Sequence, residues 1–187
     1  MTRPQLTILG GPNGASKTTL ARSNFAELLK NRRFLNADDF AAEISPNDPG
    51  NEAVAAGRRL IGLRRKWIGQ KIAFVIETTL ATRTLLHDIQ HAQAVGYHIS
   101  LIFLWISDPD ICIQRVSDRV SHGGHYIASE IIKRRHATGL RYLPQYVAAA
   151  RSVDIFNADG LPELRSRFRG NAWAVHGALP SVLAGLA

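Results

Sequence analysis

Cysteine is nearly absent from this chain of 187 residues, in which Cys112 is the only one. A single cysteine cannot form an internal disulfide, and it leaves no cysteine-based zinc site. Long apolar runs are missing too, since none approaches the roughly 18 residues of a membrane-spanning helix. The sequence also shows no signal-peptide pattern. These absences predict a cytoplasmic protein that does not enter a membrane.

Acidic residues are in deficit, with 15 Asp and Glu against 23 Lys and Arg and a formal net charge of +8. The excess is mostly arginine, which binds phosphate groups in a bidentate manner. The cationic residues are spread along the chain, so we do not expect nucleic acid to be the main partner. A kinase cleft that holds a triphosphate and a small-molecule substrate would need the same positive charge.

Residues 6–19 carry the most specific signal in the sequence. An apolar run (LTIL, 6–9) leads into a glycine-rich turn that ends in Lys17 and Thr18, and a helix-forming stretch follows. This is the pattern of a phosphate-binding loop, G-x-x-x-x-G-K-[ST], beginning at Gly11. Backbone N–H groups of such a loop point at phosphate oxygens, Lys17 would reach the terminal phosphates, and Thr18 would bind Mg²⁺. We therefore predict an ATP site with magnesium.

One position departs from this pattern, because Ser16 stands where the second glycine is expected. A serine adds a Cβ close to the β-phosphate and could reduce turnover. A nucleotide-binding module with little activity is therefore an alternative, and a plain glycine-rich turn is the simplest one. The predicted ATP-binding residues are Gly10, Gly11, Pro12, Asn13, Gly14, Ala15, Ser16, Lys17, Thr18, Thr19 and, from a later helix, Arg115.

Strands and helices alternate along the rest of the chain. The apolar runs that predict strands lie at 6–9, 33–36, 72–76, 97–106 and 152–156. The helical patterns lie at 17–30, after 38–39, and at 51–70, 81–95, 109–121 and 127–150, the last with a break or kink at Pro144. We also predict an edge strand at 165–175 and a helical turn at 180–187.

This alternation predicts an α/β protein with the P-loop NTPase/kinase fold. Its sheet would be mainly parallel, with five or six strands and helices on both faces. We expect one domain over residues 1–187, with a core at about 5–160 and a C-terminal extension at 161–187.

Acidic and hydroxyl residues follow two further strands, Asp38 and Asp39 after one and Glu77, Thr78 and Thr79 after the other. The carboxyl ends of parallel strands form the ligand-binding edge of such a sheet, so these residues should converge with the phosphate loop. Asp38 is the candidate general base toward a substrate hydroxyl, although a helix N-cap would also explain it. Glu77 would bind substrate hydroxyls or a Mg²⁺-bound water, or form a structural ion pair.

Arginines flank a glycine-containing break between two helices. Arg115 and Arg119 precede the segment 122–125, and Arg134 and Arg135 follow it. This predicts a glycine-hinged lid that brings cations over the triphosphate. A solvated helix surface is the simpler interpretation of each arginine taken alone.

Arg83 and three histidines are weaker candidates. Arg83 begins a helix just after residues 77–79 and could contact substrate, or it could be surface charge. His125 could be a lid contact. His87 and His91 lie four residues apart, but no third ligand is in view, so we do not predict a metal site there.

Taken together, these segments resemble the zeta toxin family of P-loop kinases, and most closely its short bacterial branch. The motifs that carry the resemblance are GGPNGASKT (10–18), NAD (36–38), ETTL (77–80), RVSDRVSHGGH (115–125) and IKRR (132–135). The resemblance implies an ATP-dependent kinase that phosphorylates a sugar hydroxyl of a UDP-N-acetylated amino sugar. It also implies that a small antitoxin protein could be a partner.

The resemblance also implies residue roles. Asp38 would be the base, Glu77 and Thr78 would contact the substrate, and Arg119 and Arg134 would face the phosphates. The predicted catalytic residues are Asp38, Lys17, Arg119 and Arg134, the substrate-binding residues are Asp38, Glu77, Thr78, Thr79 and Arg83, and the metal ligand is Thr18. The segment 153–159 and the C-terminal tail depart from the family pattern. A P-loop kinase for another hydroxyl acceptor, or a nucleic-acid-end kinase, therefore stays open.

Overall fold

A computed structural model describes residues 3–24, 26–30, 33–36 and 53–184. Asp38, Asp39 and the helix predicted after them lie outside the described residues. The strands are β1 Gln5–Gly10, β2 Arg33–Leu35, β3 Phe74–Thr78, β4 His98–Trp105, β5 Ser152–Asn157, β6 Glu163–Arg169 and β7 Ala172–Val175. The helices are α1 Lys17–Asn24, α2 Ala26–Lys30, α3 Ala53–Gly69, α4 Arg83–Ala94, α5 Pro109–Ser121 and α6 Ser129–Ala149, with a 3₁₀ turn at Ser181–Leu183.

The strands of the described residues form one sheet in the order β2-β3-β1-β4-β5-β6-β7. Strands β2 to β5 of that order run parallel to one another, and β6 and β7 are antiparallel. The predicted α/β fold with a mainly parallel sheet is thus confirmed. The sheet has seven strands rather than five or six, because the region predicted as one edge strand is a hairpin that turns at Gly170, where φ is 67°.

Helices cover both faces of the sheet, as the apolar strands predicted. On β4, Ile99, Leu101 and Phe103 pack into the core that includes α3, α4 and α6. Ile102 and Leu104 of the same strand pack on the other side, with α1 and α5. This alternation follows the two-residue period of a strand, and an apolar run is what a strand covered on both faces requires.

Local signals set several helix boundaries. The carboxylate of Asp108 accepts a hydrogen bond from the N–H of Asp110 at 2.8 Å, and Pro109 occupies the first helical position of α5. An aspartate at the N-cap and a proline at the first helical position are both favoured, so these residues define the start of the helix. Helix α6 continues through Pro144, where a break or kink was predicted. Among the described helices, none is both long and apolar enough to cross a membrane.

Candidate active site

The loop between β1 and α1 is tightly packed at its glycines. Gly11 has a φ of 151°, and a Cβ there would lie 2.6 Å from the carbonyl oxygen of Leu104. Gly14 has a φ of 77°, and a Cβ there would lie 3.0 Å from the carbonyl oxygen of Cys112. Positive φ and close backbone neighbours both favour glycine at these two positions. The loop is therefore held between the end of β4 and helix α5.

Ser16 has a φ of 55°, the left-handed conformation that glycine adopts at least cost. Its carbonyl oxygen accepts the hydrogen bond from Leu20 N–H at 2.9 Å, so the helix that follows begins normally. The serine therefore keeps the backbone shape that the motif glycine would give. The cost is a backbone strain of about 1 kcal/mol.

We expect Ser16→Gly to retain or tighten ATP binding, since it removes this strain. Ser16→Val is expected to weaken ATP binding at least tenfold, because a β-branched residue is a strong outlier at positive φ. Calorimetric titration of both variants with Mg²⁺ and ATP measures the difference. Equal affinities of the glycine and valine variants would show that ATP binding does not need this loop conformation.

Four polar side chains meet where β1, β2 and β3 end. The Glu77 carboxylate accepts a hydrogen bond from the Thr18 hydroxyl at 2.7 Å and from Nδ2 of Asn36 at 3.4 Å. Nζ of Lys17 lies 3.9 Å from the other carboxylate oxygen and donates to the carbonyl oxygen of Pro12 at 2.9 Å. The side chains of Lys17 and Glu77 are only 8 % and 11 % exposed. Three of the predicted site residues, Lys17, Thr18 and Glu77, are thus brought together.

The donor types in this cluster fit a magnesium–triphosphate group. Thr18 offers a hydroxyl oxygen and Glu77 a carboxylate oxygen, and Mg²⁺ is usually held by one or two such ligands together with substrate phosphates. In addition, Oδ1 of Asn13 is buried, and no described residue donates to it. Within the described ranges, no three His, Cys, Asp or Glu residues form a metal-binding group, so His87 and His91 have no third ligand there either.

A cleft of about 630 Å³ opens beside this cluster. That volume suits a small-molecule ligand. Its walls come from the loop after β1, the end of β3, the start of α4 and one side each of α3 and α6. The lining residues are Asn13, Lys17, Asn36, Gly57, Leu60, Ile61, Arg64, Ile76, Glu77, Thr78, Thr79, Ala81, Thr82, Thr84, Leu85, Arg134, Arg135 and Thr138.

The predicted substrate residues that the structure describes are divided by this cleft. Glu77, Thr78 and Thr79 are among its walls, whereas Arg83 is not. Asp38 lies outside the described residues, and Arg134, predicted to be catalytic, also lines the cleft. Nε of Arg83 donates to the hydroxyl of Tyr142 at 2.8 Å. This hydrogen bond lowers the pKa of Tyr142, as does the charge of the guanidinium. In this structure Arg83 therefore ties α4 to α6.

Arg115 and Arg119 are both engaged with backbone carbonyls. The guanidinium of Arg115 donates to the carbonyl oxygens of Ala158 at 2.8 Å, Asp159 at 2.7 Å and Gly14 at 3.3 Å. It thereby links the phosphate loop to the loop after β5. Arg119 is exposed and donates to the carbonyl oxygen of His125 at 3.1 Å. Arg119 thus braces the glycine-containing segment that was predicted to act as a lid hinge.

Arg134 belongs to a long helix that is fixed at two points. Nε2 of His136 lies 2.8 Å from the carbonyl oxygen of Ile106. A Cβ on Gly139 would lie 2.5 Å from the carbonyl oxygen of Thr79, so α6 touches the end of β3 at this glycine. Neither His136 nor Gly139 is among the residues predicted from the sequence. Only Gly139 carries a signal in the sequence, since a glycine inside a helix costs about 1 kcal/mol relative to alanine and is usually retained for a packing reason.

Asp159 fastens the loop that Arg115 holds. Its carboxylate accepts hydrogen bonds from the N–H and hydroxyl of Ser107, both at 2.8 Å, and from Nδ2 of Asn157 at 2.9 Å. Burial raises the pKa of the Asp159 carboxyl, but the hydrogen bonds from Asn157 and Ser107 outweigh it, so the pKa lies below its ordinary value.

This pKa predicts a pH-dependent stability. Because the pKa of Asp159 is lower in the folded protein than in the unfolded chain, this carboxylate stabilises the fold at pH values above about 3.9, the ordinary pKa of an aspartate. The stabilisation is lost as the pH falls through the pKa of the folded state. We expect Asp159→Asn to lower the melting temperature at neutral pH, and we expect this loss to shrink as the pH falls below about 3.9. Thermal unfolding across pH measures this, with the exposed Asp118→Asn as control. A loss that does not shrink as the pH falls would contradict the assignment.

Residues 1–161 match the model of the zeta toxin family. The chain belongs to the zeta toxin family. An uncharacterised protein of Haemophilus influenzae is 32 % identical to it over 126 residues, which cover 67 % of this chain and 88 % of that protein. The family is one of P-loop kinases, so the phosphate loop is that of a nucleotide-binding protein.

Two solved structures share the fold of this zeta toxin family member. One is from the PezAT chromosomal toxin–antitoxin system of Streptococcus pneumoniae, with 17 % identity, a TM-score of 0.67, and coverage of 97 % of this chain and 76 % of that one. The other is the AvrRxo1-ORF1:ORF2 complex with ATP, with 17 % identity and a TM-score of 0.72. That alignment covers 92 % of this chain and 60 % of the other. At these identities the likeness concerns the fold alone.

Proposed function

We propose that this zeta toxin family protein transfers the γ-phosphoryl group of ATP to a hydroxyl of a small molecule bound in the cleft. The observation that carries the proposal is the Lys17–Thr18–Glu77 cluster at the wall of a cleft of about 630 Å³. Phosphoryl transfer requires that ATP and the acceptor be positioned side by side, and the residues shared by the phosphate-binding loop and the cleft support the proposal on that ground. When bound, ATP supplies the phosphoryl group and Mg²⁺ neutralises its developing charge.

The chain's own residues would divide the work. The loop amides and Lys17 would bind the β- and γ-phosphates, and Thr18 would hold the metal. Glu77 would orient the metal-bound water or the acceptor hydroxyl, with Asn36 holding its carboxylate. Arg134, which lines the cleft, would neutralise charge on the transferred group. Arg119 would serve the phosphates only after releasing the carbonyl of His125.

Asp38 is our proposed general base. It follows Asn36 by two residues in the sequence, and Asn36 is a wall of the cleft and a hydrogen-bond partner of Glu77. A carboxylate beside the acceptor hydroxyl would take its proton as the phosphorus–oxygen bond forms.

We propose a UDP-N-acetylated amino sugar as the acceptor, on the strength of the family membership. Purified protein with Mg²⁺, ATP and UDP-N-acetylglucosamine should release ADP and yield a phosphorylated sugar nucleotide. Asp38→Ala should reduce that rate at least 100-fold while ATP still binds. If wild-type protein turns over another hydroxyl compound but not this one, the acceptor assignment is wrong. If no acceptor gives ADP release, the kinase proposal is wrong.

We also propose a cytoplasmic location and a small antitoxin protein as partner. The antitoxin partner is proposed because the structurally similar PezAT protein comes from a toxin–antitoxin system. Co-purification with the product of an adjacent small reading frame, together with inhibition of ADP release by that product, would test the partner.

A further inference from the structure

Asn13 belongs to the phosphate loop and also forms part of the cleft wall. The residue is only 8 % exposed, and its side-chain oxygen Oδ1 is buried. Among the described residues, none donates a hydrogen bond to this oxygen. The same holds for Oγ of Ser166, but that residue lies in β6 and does not line the cleft. A buried polar atom that has no partner within the protein requires an explanation, and Asn13 has its own beside the ligand space.

The side-chain donors of the Lys17–Thr18–Glu77 cluster are directed to other oxygens. The Thr18 hydroxyl donates to Glu77 at 2.7 Å, and Nδ2 of Asn36 donates to the same carboxylate at 3.4 Å. Nζ of Lys17 donates to the carbonyl oxygen of Pro12 at 2.9 Å. A donor for the buried oxygen therefore has to come from a molecule bound in the cleft.

The backbone on either side of Asn13 is held in place. The carbonyl oxygen of Gly14 accepts a hydrogen bond from Nη1 of Arg115 at 3.3 Å. The carbonyl oxygen of Pro12 accepts one from the N–H of Ala15, also at 3.3 Å. The amide of Asn13 is thus preorganised at the cleft wall, and binding a ligand there costs little further ordering.

The triphosphate of ATP cannot supply the missing donor. In its magnesium complex the phosphate oxygens only accept hydrogen bonds, and so does the carbonyl oxygen of an asparagine. The donor must therefore belong to the acceptor molecule. The attacking hydroxyl has a single proton, which passes to the proposed base Asp38 as its oxygen bonds to phosphorus and the bond between phosphorus and the leaving oxygen of ADP breaks. Oδ1 of Asn13 consequently requires a second O–H or N–H group.

We propose that Asn13 is a specificity-determining residue that binds a second hydrogen-bond donor of the acceptor, next to the hydroxyl that is phosphorylated. The inference rests on the proposed function, since it assigns the donor to the acceptor of that reaction. The two groups are neighbours because Asn13 belongs to the loop that would bind the phosphates. Its backbone serves ATP, and its side chain serves the acceptor.

This contact narrows the chemical class of the acceptor. The suitable compounds are vicinal diols, amino alcohols and N-acylated amino alcohols, each of which carries an O–H or N–H beside the reacting hydroxyl. An alcohol that lacks such a group leaves Oδ1 buried and unpaired, which is unfavourable. Sites built to bind a substrate O–H or N–H group reject analogues without it far more strongly than apolar pockets reject a change in size.

The first test needs no acceptor and uses Asn13→Leu, because leucine has nearly the shape of asparagine but no hydrogen-bonding group. Removing a buried oxygen that has no partner should leave the melting temperature of the ligand-free protein unchanged or raised. Calorimetric titration with Mg²⁺ and a non-hydrolysable ATP analogue should give a Kd within about threefold of the wild-type value. Asn13→Ala provides a smaller second variant, and the exposed Asn171→Ala is the matched control.

Two results of this first test would overturn the inference. A melting temperature lowered by more than about 5 °C in both Asn13 variants would show that the amide serves the fold. ATP binding weakened by about tenfold or more in both variants would show that it serves the metal or the nucleotide.

The second test pairs the substitution with changes in the acceptor. UDP-N-acetylglucosamine, uridine and kanamycin are screened with the wild type for ADP release, and NMR locates the phosphorylated position of the best one. Deoxy analogues, each lacking one donor group beside that position, are then compared with the parent compound in kcat/KM. We expect the wild type to lose about tenfold or more on one analogue. Asn13→Leu should lose a similar factor on the parent, but at most about threefold more on that analogue.

The outcomes separate the inference from the kinase proposal. Losses that do not add, on one analogue only, identify the group that Asn13 binds. Losses that add on every analogue, or equal kcat/KM of Asn13→Leu and the wild type on the parent, overturn the inference and leave the kinase proposal intact. ADP release with none of the three compounds is seen with the wild type alone, and it contradicts the proposed function together with the inference that rests on it.

Discussion

Glu77→Gln should reduce phosphoryl transfer by about 100-fold or more while leaving the protein folded. The Glu77 carboxylate accepts the Thr18 hydroxyl at 2.7 Å and faces Lys17 Nζ at 3.9 Å, in a site that is largely shielded from water. Glutamine has the same shape and can still accept the Thr18 hydrogen bond. The substitution therefore removes the negative charge but little else.

The charge matters because it sets the electrostatics of the phosphate end of the cleft. Without it, Lys17 loses its nearby counter-charge, and the site loses an oxygen that can orient a metal-bound water or an acceptor hydroxyl. Such preorganised groups contribute most in a site shielded from water. We expect ATP affinity to change by less than tenfold, so that the loss appears mainly in kcat.

Steady-state ADP release, at a temperature where circular dichroism shows both proteins folded, measures the effect. Glu27→Gln is a suitable control, because that side chain is 82 % exposed and pairs with Lys30 on the surface. Surface ion pairs of this kind contribute little. Wild-type kcat in Glu77→Gln would show that Glu77 is a structural ion-pair residue, the alternative that the sequence itself allowed.

The sequence predicted the parts of this site that depend on local order. The phosphate loop could be predicted because the strand, the glycines, Lys17 and Thr18 follow one another in the chain. Their order in the sequence also determines where they lie relative to one another in the structure. Glu77 was found because it ends an apolar strand, and parallel strands end at a common edge. The family model over residues 1–161 agrees with the resemblance drawn from those motifs.

Contacts between segments that are far apart in the sequence could not be predicted from it. Arg64 meets Asp88 across 24 positions, and both are ordinary charged residues within amphipathic helical patterns. Arg83 looked suited to a substrate because it follows Glu77, yet its partner is Tyr142, 59 positions away. Neither pairing can be recognised from the hydrophobic periodicity or the composition of the sequence, since each depends on how the helices pack on the folded sheet.

Gly139 gives the second large expected effect, and it concerns stability. A Cβ at this position would lie 2.5 Å from the carbonyl oxygen of Thr79, closer than any ordinary contact. Helix α6 cannot simply move aside, because the hydroxyl of Tyr146 donates to the carbonyl oxygen of Thr82 at 3.1 Å and Tyr142 is bonded to Arg83. We expect Gly139→Ala to reduce the free energy of unfolding by about 2 kcal/mol, the usual cost of overpacking.

Whether the substitution lowers or raises the free energy of unfolding is what distinguishes the two possibilities. Alanine is favoured over glycine inside a helix by about 1 kcal/mol, so an unobstructed replacement should stabilise the protein. Gly62 in α3 provides that case, because a Cβ there would have no atom of the described residues within 4 Å. Urea unfolding of Gly139→Ala and Gly62→Ala should therefore give shifts of opposite sign. If both variants are stabilised, α6 does not rest on the end of β3 at Gly139. If the shifts are opposite, the helix that carries Arg134 is held against Thr79, and the cleft wall they form is a fixed one.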